Sequence, residues 1–205
     1  MKKILVIGAG RSAVTLIKYL LDNSIANNWL VTVADFSIEL AETAVANHEN
    51  GKAIFFNVTD EIQRKSEIGN ADIVISMLPA SLHITVAKDC ISLVKNLVTA
   101  SYVSSEIADL DEHAKKAGVL LLNEIGLDPG IDHMSAMQVI DDIKDNGGEL
   151  TSFKSFCGGL VHPDYDNNPW NYKFTWNPRN VVLAGQGTAQ YIKQGKYKYI
   201  PYTKL

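Results

Sequence analysis

Cysteine is scarce in this 205-residue chain: Cys90 and Cys157 are the two it has, and neither lies in a CxxC or Cys/His ligand spacing. That excludes a disulfide scaffold, and a structural zinc is not expected. Positive charge is also in short supply, with 19 Lys and Arg against 23 Asp and Glu, a formal net charge of -4 and no basic run. A polyanion finds little attraction there, so nucleic acid is not expected as a ligand. No run approaches the roughly 18 apolar residues of a membrane span. The opening MKKILVIGAG passes straight into a strand pattern instead of a cleavable leader, so no membrane partner and a cytoplasmic setting are expected. What is present suffices for an ordinary core: 46% hydrophobic and 20% charged residues exclude wholesale disorder and collagen-like repeats. The length exceeds one mononucleotide-binding unit and barely reaches two domains of about 100 to 150 residues. One domain plus part of another is the expectation.

Up to about residue 125, short β-branched runs alternate with segments of helical period, the signature of βαβ units building a parallel sheet. Strands are predicted at 3–7, 30–34, 53–57, 73–77, 96–100 and 119–123. They are almost wholly apolar, as strands covered on both faces must be. Helices are predicted at 11–22, 37–48, 61–68, 80–95 and 105–117, with Ser37 and Ser105 as caps. Six strands and five crossovers make an α/β fold, a doubly wound parallel sheet of Rossmann type. After Asn123 the texture changes. EIGLDPGIDHM is turn-rich and leads into a helix with the stripe Ile131, Met134, Met137, Ile140 and Ile143, where Asp128 is expected as N-cap and Pro129 as first helical residue. From Thr151 onward aromatic and turn-forming residues dominate. A strand is expected at 151–157, a Pro- and Asn-punctuated loop, a second strand near 172–176 and a helix at 185–194. The expected domains are 1–125, a dinucleotide-binding Rossmann unit, and 126–205, the opening of an α+β substrate and dimerisation domain.

The strongest local signal is Gly8-Ala9-Gly10-Arg11-Ser12-Ala13, between the first strand and first helix. Gly8 permits the tight turn, Gly10 lets backbone approach a pyrophosphate, and Ala13 allows close helix packing under a phosphate-facing helix N-terminus. Asp35 closes the second strand about 20 residues further on, where the fingerprint asks for a carboxylate. There it accepts from ribose hydroxyls and repels a 2'-phosphate, favouring NAD over NADP, and Phe36 offers that phosphate no cation. Ligands of doubly wound sheets bind outside the carboxyl ends of the strands, so Ser76-Met77-Leu78 and Ser101-Tyr102 should border the cofactor. Tyr102 either projects toward nicotinamide and substrate or is a buried aromatic with a satisfied hydroxyl. Asp128, Asp132 and His133 gather at one helix start, a polar corner in which Asp128 is first of all a cap. Cys157, followed by Gly158-Gly159, is either close to ligand or simply buried beside Phe153 and Phe156. His48, His83, His113 and His162 read as structural.

The strings GLDPGIDHM, CGGL and NPWNYKFTWNPRNVVLA, in this order, are too long to be a general pattern. With them the chain closely resembles the saccharopine reductase family, the glutamate-forming saccharopine dehydrogenases of lysine metabolism, from Lys3 to about Gln194. The resemblance implies reversible NAD(P)H-dependent reduction of the imine between 2-aminoadipate 6-semialdehyde and glutamate, giving saccharopine. It implies small-molecule substrates and a homodimer formed through the second domain. It further implies that Gly8, Gly10, Arg11, Ser12 and Ala13 hold cofactor phosphates and that Ser76, Met77 and Leu78 line the dinucleotide. Ser101, Tyr102 and Asp128 would border the substrate, and Cys157, Lys173, Phe174 and Trp176 its far wall. Asp128 would face the iminium nitrogen, with Tyr102 or a water moving the proton. Three departures stand out: NADP-using relatives tend to carry Cys-Arg where this chain has Asp35-Phe36, His162 replaces an Ala, and the family is considerably longer. A carboxynorspermidine-type dehydrogenase and a non-catalytic dinucleotide-binding fragment are the alternatives.

Overall fold

In the computed structural model, residues 1–156, 161–174, 178–184 and 187–204 are described. Contacts divide the chain into two units, Met1–Thr151 and Ser152–Leu205.

In the first unit, strands β1 (Lys2–Ile7), β2 (Trp29–Asp35), β3 (Gly51–Phe55), β4 (Ile73–Ser76), β5 (Asn96–Thr99) and β6 (Leu121–Leu122) form one sheet in the order β3-β2-β1-β4-β5-β6. Every pairing is parallel. The order reverses between β1 and β4, the topological switch point where doubly wound sheets open a crevice at their carboxyl ends. The crossovers run through α1 (Val14–Asp22), α2 (Ser24–Asn27), α3 (Ile38–Val45), α4 (Glu61–Asn70), α5 (His83–Ser92), α6 (Ser105–Ala108) and α7 (Asp111–Ala117). Central strands are buried on both faces because alternate residues feed two cores. Ile4, Val6, Val31 and Val33 pack with Ile17, Leu20 and Ala41; Leu5, Ile7, Val74 and Leu97 pack with Ile68, Val86 and Cys90.

The expected strands and helices of this unit are all found, with boundary shifts that have local causes. Residues 11–13 form a turn, and α1 begins only at Val14. The predicted helix 80–95 is a 3-10 turn, Ala80–Leu82, followed by α5, and 105–117 is broken into α6 and α7. Ser37 caps α3 by accepting from the Leu40 N–H. The second predicted cap moves one residue, to Ser104, whose hydroxyl accepts from the Ile107 N–H. Between α4 and α5 lies a buried ion pair: Arg64 Nε donates to Asp89 Oδ2 at 2.6 Å, and Arg64 Nη1 donates to the Val58 carbonyl at 2.6 Å.

Cys90 on α5 is wholly buried in the second core. Desolvation, with the Asp89 charge adding to it, pushes its thiol up to about 12. Thiolate is the reactive form, so Cys90 should resist a thiol-directed reagent at pH 8 in a folded Cys157→Ser variant and react only when the chain is unfolded in denaturant. Labelling at equal rates in both states would contradict this packing.

Helix α8 (Ile131–Asp145) follows β6, but not with the expected start. Gly130, at φ 147, is its N-cap, and Asp128-Pro129, joined by a cis peptide, precede the helix. The loop is tight: Gly126 donates to the Pro129 carbonyl, Ile131 donates to Gly126, and a Cβ on Gly130 would lie 2.1 Å from the Gly126 oxygen. That closure leaves Asp128 outside the helix. No residue of α8 is buried; Ile131, Met134 and Met137 of the expected stripe are exposed and Ile140 and Ile143 half-buried.

The second unit differs more from expectation. Residues 152–156 are irregular, as is Thr151 at the end of the first unit, and so are 172–174. The predicted helix at 185–194 is not there: Ala189–Lys193 (β7) pairs antiparallel with Lys196–Ile200 (β8), turning through Gln194 at φ 54 and Gly195 at φ 70, the left-handed pair that two-residue hairpins need. A helix that the residue pattern did not announce, α9 (Pro178–Ala184), precedes it, with Pro178 at its first position.

Candidate functional site

The carboxyl ends of β1, β2, β4 and β5 bring most of the sequence-predicted residues of the first unit to one edge of the sheet. Gly8 follows β1 at φ 106, and an added Cβ would sit 2.9 Å from the Met77 carbonyl oxygen. Only glycine meets both conditions without strain. Gly10 is exposed, and a Cβ there would meet nothing within 4 Å, so its bare backbone faces open space. Arg11 and Ser12 are exposed in the same turn and Ala13 is buried beneath it. Ala13 offers α1 no side-chain cap, and its first turn has no acidic residue. The amides and the positive end of the helix dipole are thus left to an anion.

Asp35 is tied into this turn by both oxygens: Oδ2 accepts from the Ala9 N–H at 2.6 Å and Oδ1 from the Ser37 N–H at 2.9 Å. These bonds fix the carboxylate at the end of β2 while leaving lone pairs for hydroxyl donors. Beside it Phe36, 71% exposed, pairs with Phe55 at a centroid distance of 5.5 Å. No cation occupies that position.

Ser76 ends β4 with Met77 and Leu78 just beyond it, and Ser101 and Tyr102 follow β5. The link between them is His83. Its Nδ1 lies 2.8 Å from Ser76 Oγ and its Nε2 2.7 Å from Ser101 Oγ, with Thr99 Oγ1 at 3.5 Å from Nε2. His83 was expected to be structural; the chain places it at the first position of α5, where that helix starts over the ends of β4 and β5. It is 2% exposed, and burial lowers its pKa from 6.5. The folded state therefore holds it neutral where the unfolded chain takes up a proton. Stability from this group is present above pH 6.5 and lost as pH falls below it. Thermal melts should show a decline in Tm on going below pH 6.5 that is shallower in His83→Gln; identical slopes would contradict a neutral buried imidazole.

Tyr102 is exposed, which removes the reading of a buried aromatic. Partial desolvation raises its pKa, and the Asp128, Glu124 and Asp132 carboxylates raise it further. It stays a phenol through the neutral range and can donate a proton there. The Asp128 charge acts on Tyr102 because the 124–130 loop is clasped to the end of β5. Glu124 N–H donates to the Ser101 carbonyl at 3.1 Å, Glu124 Oε1 accepts from the Val103 N–H at 3.0 Å, and Gly126 abuts Ala100 so closely that a Cβ would lie 2.9 Å from the Ala100 Cβ. Asp128 does not cap α8, whose N-cap Gly130 receives no side-chain cap; Asp132, in the first turn, accepts at Oδ1 from the Gly130 N–H at 3.0 Å and from His133 Nδ1 at 2.7 Å. The hydrogen bond to Asp132 raises the His133 pKa. Among the described residues the Asp128 carboxylate accepts no hydrogen bond.

Lys173 and Phe174 belong to the second unit, where Phe174 packs edge-on against Tyr172 at 5.6 Å. Cys157 and Trp176 lie outside the described residues. His83, Thr99 and Glu124 escaped sequence reasoning. The one available sign was His83 lying seven positions beyond Ser76 at the head of a helix, which a lone residue pattern does not distinguish from a core histidine.

A family model of the saccharopine dehydrogenase NADP binding domain matches residues 4–122, and one of the saccharopine dehydrogenase C-terminal domain matches 126–205. The chain is 40% identical, over 97% of its length and 44% of the relative's, to the NADP(+), L-glutamate-forming saccharopine dehydrogenase of Saccharomyces cerevisiae. It is 46% identical to the alpha-aminoadipic semialdehyde synthase of Arabidopsis thaliana over 80% of this chain and 16% of that one. The structure of apo saccharopine dehydrogenase (L-Glu forming) from Saccharomyces cerevisiae aligns with a TM-score of 0.85 at 38% identity, covering all of this chain and 45% of that one. The chain thus spans less than half the length of these relatives. With both family models matching in sequence order and together spanning nearly all of it, the chain belongs to the saccharopine dehydrogenase family.

Proposed function

We propose that this chain is the dinucleotide-binding portion and the opening of the substrate domain, 1–125 and 126–205, of an oxidoreductase of lysine metabolism. That enzyme interconverts saccharopine with 2-aminoadipate 6-semialdehyde and glutamate. The observation that carries the reading is the 124–130 loop, with its carboxylates Glu124 and Asp128, clasped to Ser101 and Val103 on either side of Tyr102 at the same sheet edge as the glycine turn. An anionic corner suits a cationic nitrogen next to a site for hydride exchange.

The residues fit a nicotinamide dinucleotide: Gly8 and Gly10 clear its path, α1 presents uncapped amides, and Asp35 stands ready for the ribose. When bound, that cofactor exchanges hydride with the carbon beside the substrate nitrogen. Asp128 stabilises positive charge on that nitrogen, Tyr102 supplies or relays the proton as the imine is hydrolysed, and Ser101 orients the amine. Asp128→Asn should lower kcat/KM by about 10²- to 10³-fold if it stabilises developing charge. Unchanged kcat/KM would remove it from the mechanism. A Tyr102→Phe variant with an undiminished pH-rate profile would make Tyr102 a wall residue.

Asp35 and Phe36 favour NAD, although the matched family model and the fungal relatives carry NADP in their names. Small-molecule substrates, a cytoplasmic setting and a homodimer built through the second domain complete the proposal; light scattering reads the last. Among the described residues no helix is long and apolar enough to cross a membrane. Turnover of saccharopine with NAD or NADP is the test, and dinucleotide binding without turnover would support a non-catalytic module instead.

A further inference from the structure

We infer that His83 is a positioning residue that holds Ser101 as a hydrogen-bond acceptor toward the substrate nitrogen. This rests on the reading above of an amine substrate at the end of β5. The imidazole bridges the two strands that flank the proposed reaction site, with Ser76 of β4 on Nδ1 and Ser101 beyond β5 on Nε2. A neutral imidazole donates from one nitrogen and accepts at the other, so the direction of one bond dictates the other.

The surroundings choose the direction. The Ser101 N–H donates to Thr99 Oγ1 at 3.3 Å, which fills an acceptor position and leaves the Thr99 hydroxyl proton free to turn toward Nε2 at 3.5 Å. The Ser101 hydroxyl reaches the same nitrogen. In the inferred arrangement both hydroxyls donate to Nε2, and Nδ1 then carries the proton and donates to Ser76. With its own proton committed inward, Ser101 turns its lone pairs outward. It can therefore accept from an ammonium or amine N–H and cannot donate to a carboxylate. The selection is thus for a cationic nitrogen, in keeping with the carboxylates around Tyr102. His83 touches no reacting atom; it acts through Ser101.

The tautomer can be read directly by nitrogen-15 shifts of the imidazole in the folded full chain. Protonated Nδ1 with unprotonated Nε2 is expected, and a proton on Nε2 would overturn the inference. Two variants give the kinetic readout. The glutamine amide of His83→Gln reaches the Nε2 place and can still accept from Ser101, whereas that of His83→Asn reaches only the Nδ1 place and serves Ser76. The saccharopine KM should stay near wild type in the first and rise roughly tenfold in the second, the usual scale for one lost hydrogen bond to a charged group. The dinucleotide KM should hold in His83→Asn, which keeps the partner of Ser76. Equal effects of the two variants, or a shift in the dinucleotide KM of His83→Asn instead, would mean that His83 is packing alone. If no product of the gene turns over saccharopine, the proposed function falls, and the nitrogen shifts still report on the imidazole without any substrate.

Discussion

Replacing Asp89 with Ala should cost about 3–5 kcal/mol of unfolding free energy, the usual consequence of stripping the partner from a buried charge. Arg64 and Asp89 are 7% and 6% exposed, and among the described residues the guanidinium also donates to the Val58 carbonyl. With Asp89 gone, the cation is left in a low-dielectric pocket between α4 and α5 that water hardly reaches. Domains of this size are commonly stable by only about 5–15 kcal/mol, so a large share of the total is at stake. Urea denaturation should show a markedly lower midpoint at unchanged slope. The combined Arg64→Met, Asp89→Leu variant should recover most of the loss, because removing both charges removes the desolvation cost with them. A loss under about 1 kcal/mol for Asp89→Ala would mean that the pair is solvated and that the α4–α5 contact is looser than described.

Gly8→Ala should weaken dinucleotide binding by about 30- to 100-fold, which corresponds to roughly 2–2.7 kcal/mol. Two costs combine. A φ of 106 is strained for alanine, and its Cβ would press on the Met77 carbonyl at 2.9 Å, so both the turn and the end of β4 must shift from where the phosphate amides and the cofactor wall belong. Gly10→Ala is the internal control. Its Cβ meets no protein atom, so the fold should be untouched and any loss of affinity must come from the approach of the ligand. Fluorescence titration with reduced dinucleotide reads both. Wild-type affinity in Gly8→Ala would show that the glycine turn is only structural.

The first unit was legible because its signals are local and repeated. Short β-branched runs such as those of β1 and β2, bounded by turn residues, read as buried parallel strands, and the glycines after β1 name the crevice. The failures come from contacts distant in sequence. Asp128 reads as an N-cap from its neighbours alone, whereas the observed start of α8 is set by Gly126 closing on Gly130 and by the loop's grip on Ser101 and Val103. His83 looked inert since the partners that give it meaning, Thr99 and Ser101, come from the next strand. In the second unit the 185–194 segment carries no strong period, and cross-strand pairing with Lys196–Ile200 turned half of it, Ala189–Lys193, into a hairpin strand. Similarly, the apolar stripe of α8 marks the helix but not its burial, and that face stays open.

The most direct test is oxidation of saccharopine with NAD and NADP side by side, on this chain and on any longer product of the same gene, following reduced nicotinamide and released glutamate together. Asp35, fixed by the Ala9 and Ser37 amides, predicts stoichiometric glutamate release with kcat/KM higher for NAD by about tenfold or more, the scale of a single charge repulsion of about 1.4 kcal/mol. A strong preference for NADP would contradict the ribose assignment, and dinucleotide binding with no glutamate released from any product of the gene would contradict the reaction itself.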